Sequence, residues 1–496
     1  MKPVALPADA EVHLYHGVAE SAVSAVSAGL IAEDATGVVV LVGAAGRALE
    51  AWSEDLEFFL HRADPKHPVK MITLPNLGEL EPDDPRAFEL NCYRLAALSA
   101  LTQARTSGGE RICLSIHPAA LLQPLPAPKQ IQASGIQLKV GQETDFQALM
   151  DRLNAELHYD AEALCETPGQ FAVRGGLIDI YPLNATAPLR IDFFGNEIDS
   201  IREFDPTTQR SGESLKEAFI SPAIEPGPLT DKATLLDYLP EHVTWIFREP
   251  ERLALSDPEL FQFPENLPPP SRNLQHLVTA RAKHGDRWLA LASLDLDSPL
   301  LGTGAKRIAV ESESLENYAT FGEANQMGVV RKESEERSRR DLLQQLLRWQ
   351  KAGHRVTFAL KTEAEERRLR ELIEADDAGR RLEATVEITP MSEGFRLSHG
   401  SRREVWVTEA ELFGRRRIRV GRRQHKMPHR QAVDQALDFS ELADGDYLVH
   451  LQNGVCIYRG MQKLKVGKRE EEVISLEFDE GVTVHLRLHE SHLLSR

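Results

Sequence analysis

Gly169-Gln170-Phe171-Ala172-Val173-Arg174-Gly175-Gly176-Leu177-Ile178-Asp179-Ile180-Tyr181-Pro182 reads as two short strands that turn back on each other at Gly175-Gly176, where two residues without Cβ atoms permit a tight turn. The chain continues through Pro188-Leu189-Arg190-Ile191-Asp192-Phe193-Phe194-Gly195-Asn196-Glu197-Ile198 to Phe204-Asp205-Pro206 and Thr208-Gln209-Arg210-Ser211. Alternation along Leu189–Phe194 puts Leu189, Ile191 and Phe193 on one face and Arg190, Asp192 and Phe194 on the other. Arg174 lies opposite Phe171 and Val173, so Arg174, Arg190 and Phe194 are expected to share one exposed patch. An aromatic ring beside an arginine on a polar face suits a protein-binding anchor. The alternative is that both arginines pair with neighbours such as Asp192 or Glu197.

Upstream of about Gln130 the pattern is different. Val38-Val39-Val40-Leu41-Val42 is a β-branched run of the kind buried in a parallel sheet. Leu49, Trp52, Leu56 and Phe59 follow at helical spacing. Strands at Val69–Leu74 and Arg111–Ile116, with a helix at about Phe88–Ala104 between them, complete a βαβ rhythm. From Gln130 to about Phe204 the chain reads as a mostly antiparallel β subdomain with one helix near Asp145–Leu157. A second α/β stretch carries strands at Val243–Phe247 and Arg307–Val310. Beyond Glu311 come a charged helix with Leu342, Leu346 and Trp349, a strand Val356–Leu360, a helix with Leu369, Leu372 and Ile373, and a strand Glu404–Val407. Gly414 to Arg430 holds eight Lys/Arg and no acid and reads as an exposed basic linker. The last segment alternates Val482, Val484, Leu486 and Leu488 with polar residues, as a half-buried strand requires.

At 496 residues the chain exceeds one core. A net charge of −18 argues against whole-protein attraction to nucleic acid. No apolar run approaches the roughly 20 residues of a membrane span, and the start lacks a signal-peptide plan, so a cytoplasmic location is expected. Cys92, Cys113, Cys165 and Cys456 form no CxxC pair, which argues against a disulfide framework or zinc ribbon.

The segment 169–211 resembles the domain by which UvrB and the bacterial transcription-repair coupling factors, the Mfd family, bind UvrA. Two further stretches are similar to the same family. One is Thr408-Glu409-Ala410-Glu411-Leu412-Phe413-Gly414-Arg415-Arg416. The other runs from Gly445-Asp446-Tyr447-Leu448-Val449-His450 through Asn453-Gly454-Val455 and Tyr458-Arg459-Gly460 to Ser491-His492-Leu493-Leu494-Ser495-Arg496, and is similar to the RNA-polymerase-interacting domain of that family and of CarD-type regulators. The resemblance implies a multi-domain α/β protein. A vestigial P-loop-like, UvrB-like module (1–139 and 213–311) is split by a β-rich UvrA-interaction domain (140–212). A small α/β domain (312–412), a basic linker (413–438) and a Tudor-like β barrel (439–496) follow. It implies Arg174, Arg190 and Phe194 as UvrA contacts. It implies Ile474 as a contact for the polymerase β subunit, partly by edge-strand pairing, although Ile474 shares a face with Leu476 and Phe478 and equally reads as core. The sequence departs from the family at Asn453, Cys456 and Arg487.

A superfamily ATPase needs a phosphate loop with lysine and Ser/Thr after its first strand, and a metal-binding acid on a later one. Those places read Gly43-Ala44-Ala45-Gly46-Arg47-Ala48 and Ile246-Phe247-Arg248. No hydrolysis and no cofactor are therefore expected here, ATP belonging to the motor domains that the family carries beyond the place of Arg496. DNA contact is expected only indirectly or through such a motor. Gly302-Thr303-Gly304-Ala305-Lys306 precedes a strand and is not expected to hold phosphate. His485 and His489 lie about 13 Å apart at strand rise, too far for a common metal site with His492. The resulting expectation is a non-catalytic adaptor joining RNA polymerase to UvrA, with the UvrA face uncovered. The alternatives are the front of an ATP-dependent translocase and a stand-alone CarD-like regulator.

Overall fold

The computed structural model describes residues 2–413 except 8–9, 34–36, 45, 66, 78–86, 108–110, 186, 226–232, 264–272, 303, 319–327, 390 and 392, and beyond them 447–450, 454–466, 469–478, 483–487 and 494–495. The basic linker, His489 and His492 lie outside these residues. The fold is mixed α/β, with one parallel sheet and several others.

Seven strands form the parallel sheet, in the order Lys306–Ala309, Val12–His16, Arg287–Ala292, Thr244–Arg248, Val38–Val42, Arg111–Ile116, Val69–Leu74. Every neighbour pair is parallel. Val38–Val42 lies near the centre and all five of its residues are buried, which is why it carries no polar alternation. Helix Arg47–Ala63 turns Leu49, Trp52, Leu56 and Phe59 into the core on one face of the sheet. The other face is filled by Trp245, Phe247 and Trp288, the Trp245 and Trp288 rings stacked 5.3 Å apart.

A five-stranded sheet follows, ordered Glu311–Ser314, Phe395–His399, Arg402–Thr408, Arg355–Leu360, Ala384–Ile388. It belongs to the same compact unit as the parallel sheet. Phe395, Leu397 and Trp406 share one apolar core with helices Val23–Ala32 and Arg47–Ala63. Trp406 is edge-on to Phe59 at 5.2 Å and to Phe58 at 5.9 Å, and the Arg62 guanidinium lies 5.1 Å over its ring. Arg62 Nε donates to Glu387 at 2.9 Å, while Arg402 Nη1 reaches the Ala25 carbonyl at 2.9 Å beside Gly29, where a Cβ would stand 2.8 Å from that nitrogen. Trp406→Ala is expected to cost about 3–5 kcal/mol, read as a lowered urea midpoint. A loss below about 1 kcal/mol would mean that this seam is loosely packed.

The chain leaves the parallel-sheet module through paired strands Ile136–Lys139 and Glu217–Ile220. Between them lies a six-stranded sheet in the order Ser211–Leu215, Glu197–Phe204, Leu189–Phe194, Leu177–Ile180, Gln170–Arg174, Asp160–Ala161. It is antiparallel except for the last pair. Helix Phe146–Asp151 continues through a π-turn at Arg152–Glu156. Leu149 and Leu153 on it are buried, and Phe146 meets Phe193 edge-on at 5.2 Å.

The C-terminal sheet has five antiparallel strands, ordered Thr483–Arg487, Arg469–Glu477, Gly454–Val466, Tyr447–His450, Leu494–Ser495.

Candidate protein-binding site

The register of the inserted sheet places the sequence-predicted residues. Phe171, Val173, Ile178, Ile180, Leu189, Ile191 and Ile201 line one face, and all but Val173 are buried. On the other face, Arg174 lies opposite Leu177, Leu177 opposite Asp192, and Asp192 opposite Ser200. The next row runs Ala172, Asp179, Arg190, Arg202. A bulge between Asp192 and Phe193 shifts the pairing with Glu197–Phe204.

Two hairpin tips meet at one end of this face. Arg174 and Leu177 pair across Gly175-Gly176, and Phe194 and Glu197 pair across Gly195-Asn196. Gly175 and Gly195 have φ of +62° and +63°, the left-handed conformation that a two-residue hairpin turn demands. Phe193 N donates to the Gly176 carbonyl at 2.9 Å, tying the tips together. Phe194 is 81% exposed there. A phenyl ring left in water forgoes about 1.5–3 kcal/mol of burial, which a docked partner would recover. Arg174 is also exposed, and among the described residues it has no ion-pair partner.

Arg190 is placed differently. Its side chain is only 15% exposed. Nε and Nη2 fork onto Asp179 Oδ1 and Oδ2 at 2.7 and 2.8 Å, and the guanidinium lies 4.5 Å over the Phe204 ring. That carboxylate raises the Arg190 pKa further above its ordinary value. The sequence left open whether the arginines pair with neighbours; Arg190 does, with Asp179 rather than Asp192 or Glu197. Asp192 instead accepts from Ser200 Oγ at 2.6 Å and pairs with Arg202. Each of the two facing arginines, Arg190 and Arg202, thus has its own carboxylate, which offsets like-charge repulsion across the strands. Sequence reading missed Asp179, Arg202 and Phe204. The two-residue turn and the Asp179↔Arg190 register would have identified the first.

In the C-terminal sheet Ile474 sits opposite Met461 and Leu486 and has no exposed surface. It lies in the core with Cys456, Tyr458 and Leu476, so a partner meeting this sheet would not touch its side chain without rearrangement.

Arg248, at the position where the sequence reading expects a metal-binding acid, ends the strand beside Val38–Val42. Its Nη1 donates to the Ala48 carbonyl at 3.0 Å and its Nη2 to Glu20 Oε1 at 2.7 Å. A Cβ on Gly43 would stand 3.0 Å from Leu49 and 3.5 Å from Trp52, so side chains of the following helix crowd the loop. Among the described residues no group of three or more His, Cys, Asp or Glu could hold a metal ion, and no helix is long and apolar enough to cross a membrane.

The UvrB interaction domain matches residues 136–225, the strands just described, and the CarD-like/TRCF RID domain matches 442–496. The transcription-repair-coupling factor of Staphylococcus epidermidis (strain ATCC 35984) is 24% identical over 491 residues, covering 83% of this chain and 39% of its own length. The chain resembles the transcription-repair-coupling factors. That of Bacillus subtilis (strain 168) is 37% identical over 137 residues, 28% of this chain and 11% of its own. UvrABC system protein B of Chlorobaculum tepidum is 35% identical over 172 residues, 34% of this chain and 24% of its own. The chain therefore spans well under half the length of these coupling factors and of the UvrB relative.

Proposed function

We propose that this chain is an adaptor of transcription-coupled repair. It holds UvrA through the tips of the inserted sheet, and the β subunit of RNA polymerase through the C-terminal sheet. The observation that carries this reading is the joint presence of a UvrB interaction domain, with Phe194 and Arg174 bare at its tip, and a CarD-like/TRCF RID domain. Its mechanism is tethering: two sites on one chain raise the effective concentration of one partner at the other. The backbone edge of Thr483–Arg487, at the side of its sheet, suits strand addition by a polymerase segment, and the Tudor-like barrel implied by the resemblance, open at that edge, is part of the same proposal. The domain limits 1–139, 140–212, 213–311, 312–412, 413–438 and 439–496 belong to this reading too, as does a cytoplasmic location. Calorimetric titration of UvrA tests it, followed by addition of RNA polymerase to the complex. A ternary complex supports the adaptor. Polymerase binding without UvrA binding would favour the CarD-like regulator instead.

These residues are proposed to hydrolyse nothing. What supports this is Arg248 standing where the resemblance puts a metal-binding acid, and Leu49 and Trp52 lying close against Gly43. The pure chain is expected to release no phosphate from ATP above background, and Arg248→Ala to create no activity. Turnover that Arg248→Ala alters would overturn this. An ATP-driven translocase activity is assigned by the resemblance to motor domains of the longer coupling factors.

A further inference from the structure

We propose that Arg190 acts on UvrA binding from inside the sheet, and that Asp179 is a positioning residue for that binding although it touches no partner. The inference deepens the adaptor reading and rests on it. Arg190 makes four hydrogen bonds within the chain: two to Asp179, one to Gln209 Oε1 at 3.3 Å and one to the Gln209 carbonyl at 3.4 Å. A guanidinium has five N–H donors, so little is left for a partner. Its aromatic face is taken by Phe204.

The brace joins three adjacent strands and one turn. Asp179 lies on Leu177–Ile180, Arg190 on Leu189–Phe194 and Phe204 on Glu197–Phe204. Gln209 belongs to the turn after Phe204 and is held at φ +59°, a conformation that non-glycine residues adopt only when their surroundings enforce it. Gln209 N bonds the Asp205 carbonyl at 2.7 Å and its Nε2 the Pro206 carbonyl at 2.8 Å, so Arg190 anchors an already closed turn. Two residues towards the tips, the next row holds Arg174, Leu177, Asp192 and Ser200, and beyond it stands Phe194. A planar, bidentate pair fixes both the distance and the orientation of the strands it spans. Losing either member frees the tip and leaves the other charge buried.

The experiment measures UvrA affinity of the full chain by calorimetry at two salt concentrations, with the urea midpoint of each variant. Asp179→Asn keeps the shape and removes the charge. Gln209→Gly keeps the positive φ and the carbonyl contact to Arg190 and removes the Gln209 side-chain hydrogen bonds to Arg190 and Pro206. Asp179→Asn and Arg190→Gln are each expected to weaken binding about tenfold, and the double variant no more than either alone. The salt dependence should stay that of the unaltered chain. Arg174→Ala is expected to flatten the salt dependence and to add to Asp179→Asn. Gln209→Gly should show a smaller loss in the same sense. Asp179→Asn that shifts only the urea midpoint and leaves UvrA affinity unchanged would overturn the inference, as would Arg190→Gln that flattens the salt dependence as Arg174→Ala does. No binding by the unaltered chain would remove the adaptor reading itself, and this inference with it.

Discussion

Phe194→Ala combined with Arg174→Glu is expected to weaken UvrA binding by at least about a hundredfold, with the free energy of unfolding in urea changed by less than about 0.5 kcal/mol. Phe194 is the most exposed large apolar side chain among the described residues, at 81%. It sits at a turn held by backbone pairing and glycine geometry rather than by its own ring. Removing it therefore takes little from the fold. Aromatic anchors of this kind carry about 2–4 kcal/mol of an interface's free energy, and a charge reversal beside one adds repulsion that steers the partner away. Calorimetry with the single and double variants checks this. Binding that survives the double variant would mean that UvrA, if bound, uses another surface. A large fall in the urea midpoint would mean that the tip is part of the core.

The elements that could be read from sequence are those whose burial is one-sided or complete and whose residues say so. Val38–Val42 is β-branched at four of its five positions, and its bounds are legible to the residue. The helix after it announced itself through Leu49, Trp52, Leu56 and Phe59. Strands Val12–His16 and Arg287–Ala292 were missed. The first interleaves His13 and His16 with its apolar residues, and the second, RWLALA, is mostly leucine and alanine, which favour helix when read locally. Only the parallel partners on both sides make them strands. Glu311–Ser314 is polar and short, and is a strand because Phe395–His399 pairs with it. At the candidate site, alternation placed Arg174, Arg190 and Phe194 on one face. It did not distinguish a bare arginine from a braced one. That difference depends on Asp179 lying directly across from Arg190, and on a ring, Phe204, that returns from another strand. Ile474 shows the same limit: its strand pattern allows a face, and only the sheet register and packing show that the face is covered.

The largest loss of stability is expected at Asp286. Its carboxylate is fully buried and accepts from four donors: Arg281 Nε and Nη2 at 2.7 and 2.8 Å, Trp245 Nε1 at 2.7 Å and Val243 N at 3.1 Å. It thereby joins the end of helix Leu274–Ala282 to two central strands of the parallel sheet, directly beneath the Trp245–Trp288 stack. Arg281 is also buried and reaches the Pro240 and Glu241 carbonyls. Asp286→Ala leaves that guanidinium charged with no counter-ion, at about 3–5 kcal/mol, and strands the indole and Val243 donors at about 1–3 kcal/mol each. Against a typical stability of about 5–15 kcal/mol, the module should unfold under mild urea or fail to accumulate. Asp286→Leu with Arg281→Met is expected to be more stable than Asp286→Ala alone, because no charge is then left unpaired. Urea unfolding followed by tryptophan fluorescence distinguishes them, since Trp245 and Trp288, two of the five tryptophans, sit at this site and the other three are common to both variants. A double variant less stable than Asp286→Ala would show that the geometry of the pair, rather than the cost of an orphaned charge, holds this corner of the sheet together. The inserted sheet is joined in sequence to the same module through Ile136–Lys139 and Glu217–Ile220 but belongs to the other compact unit. UvrA binding by a partly unfolded Asp286→Ala chain is therefore expected to persist at urea concentrations that have already exposed the two tryptophans.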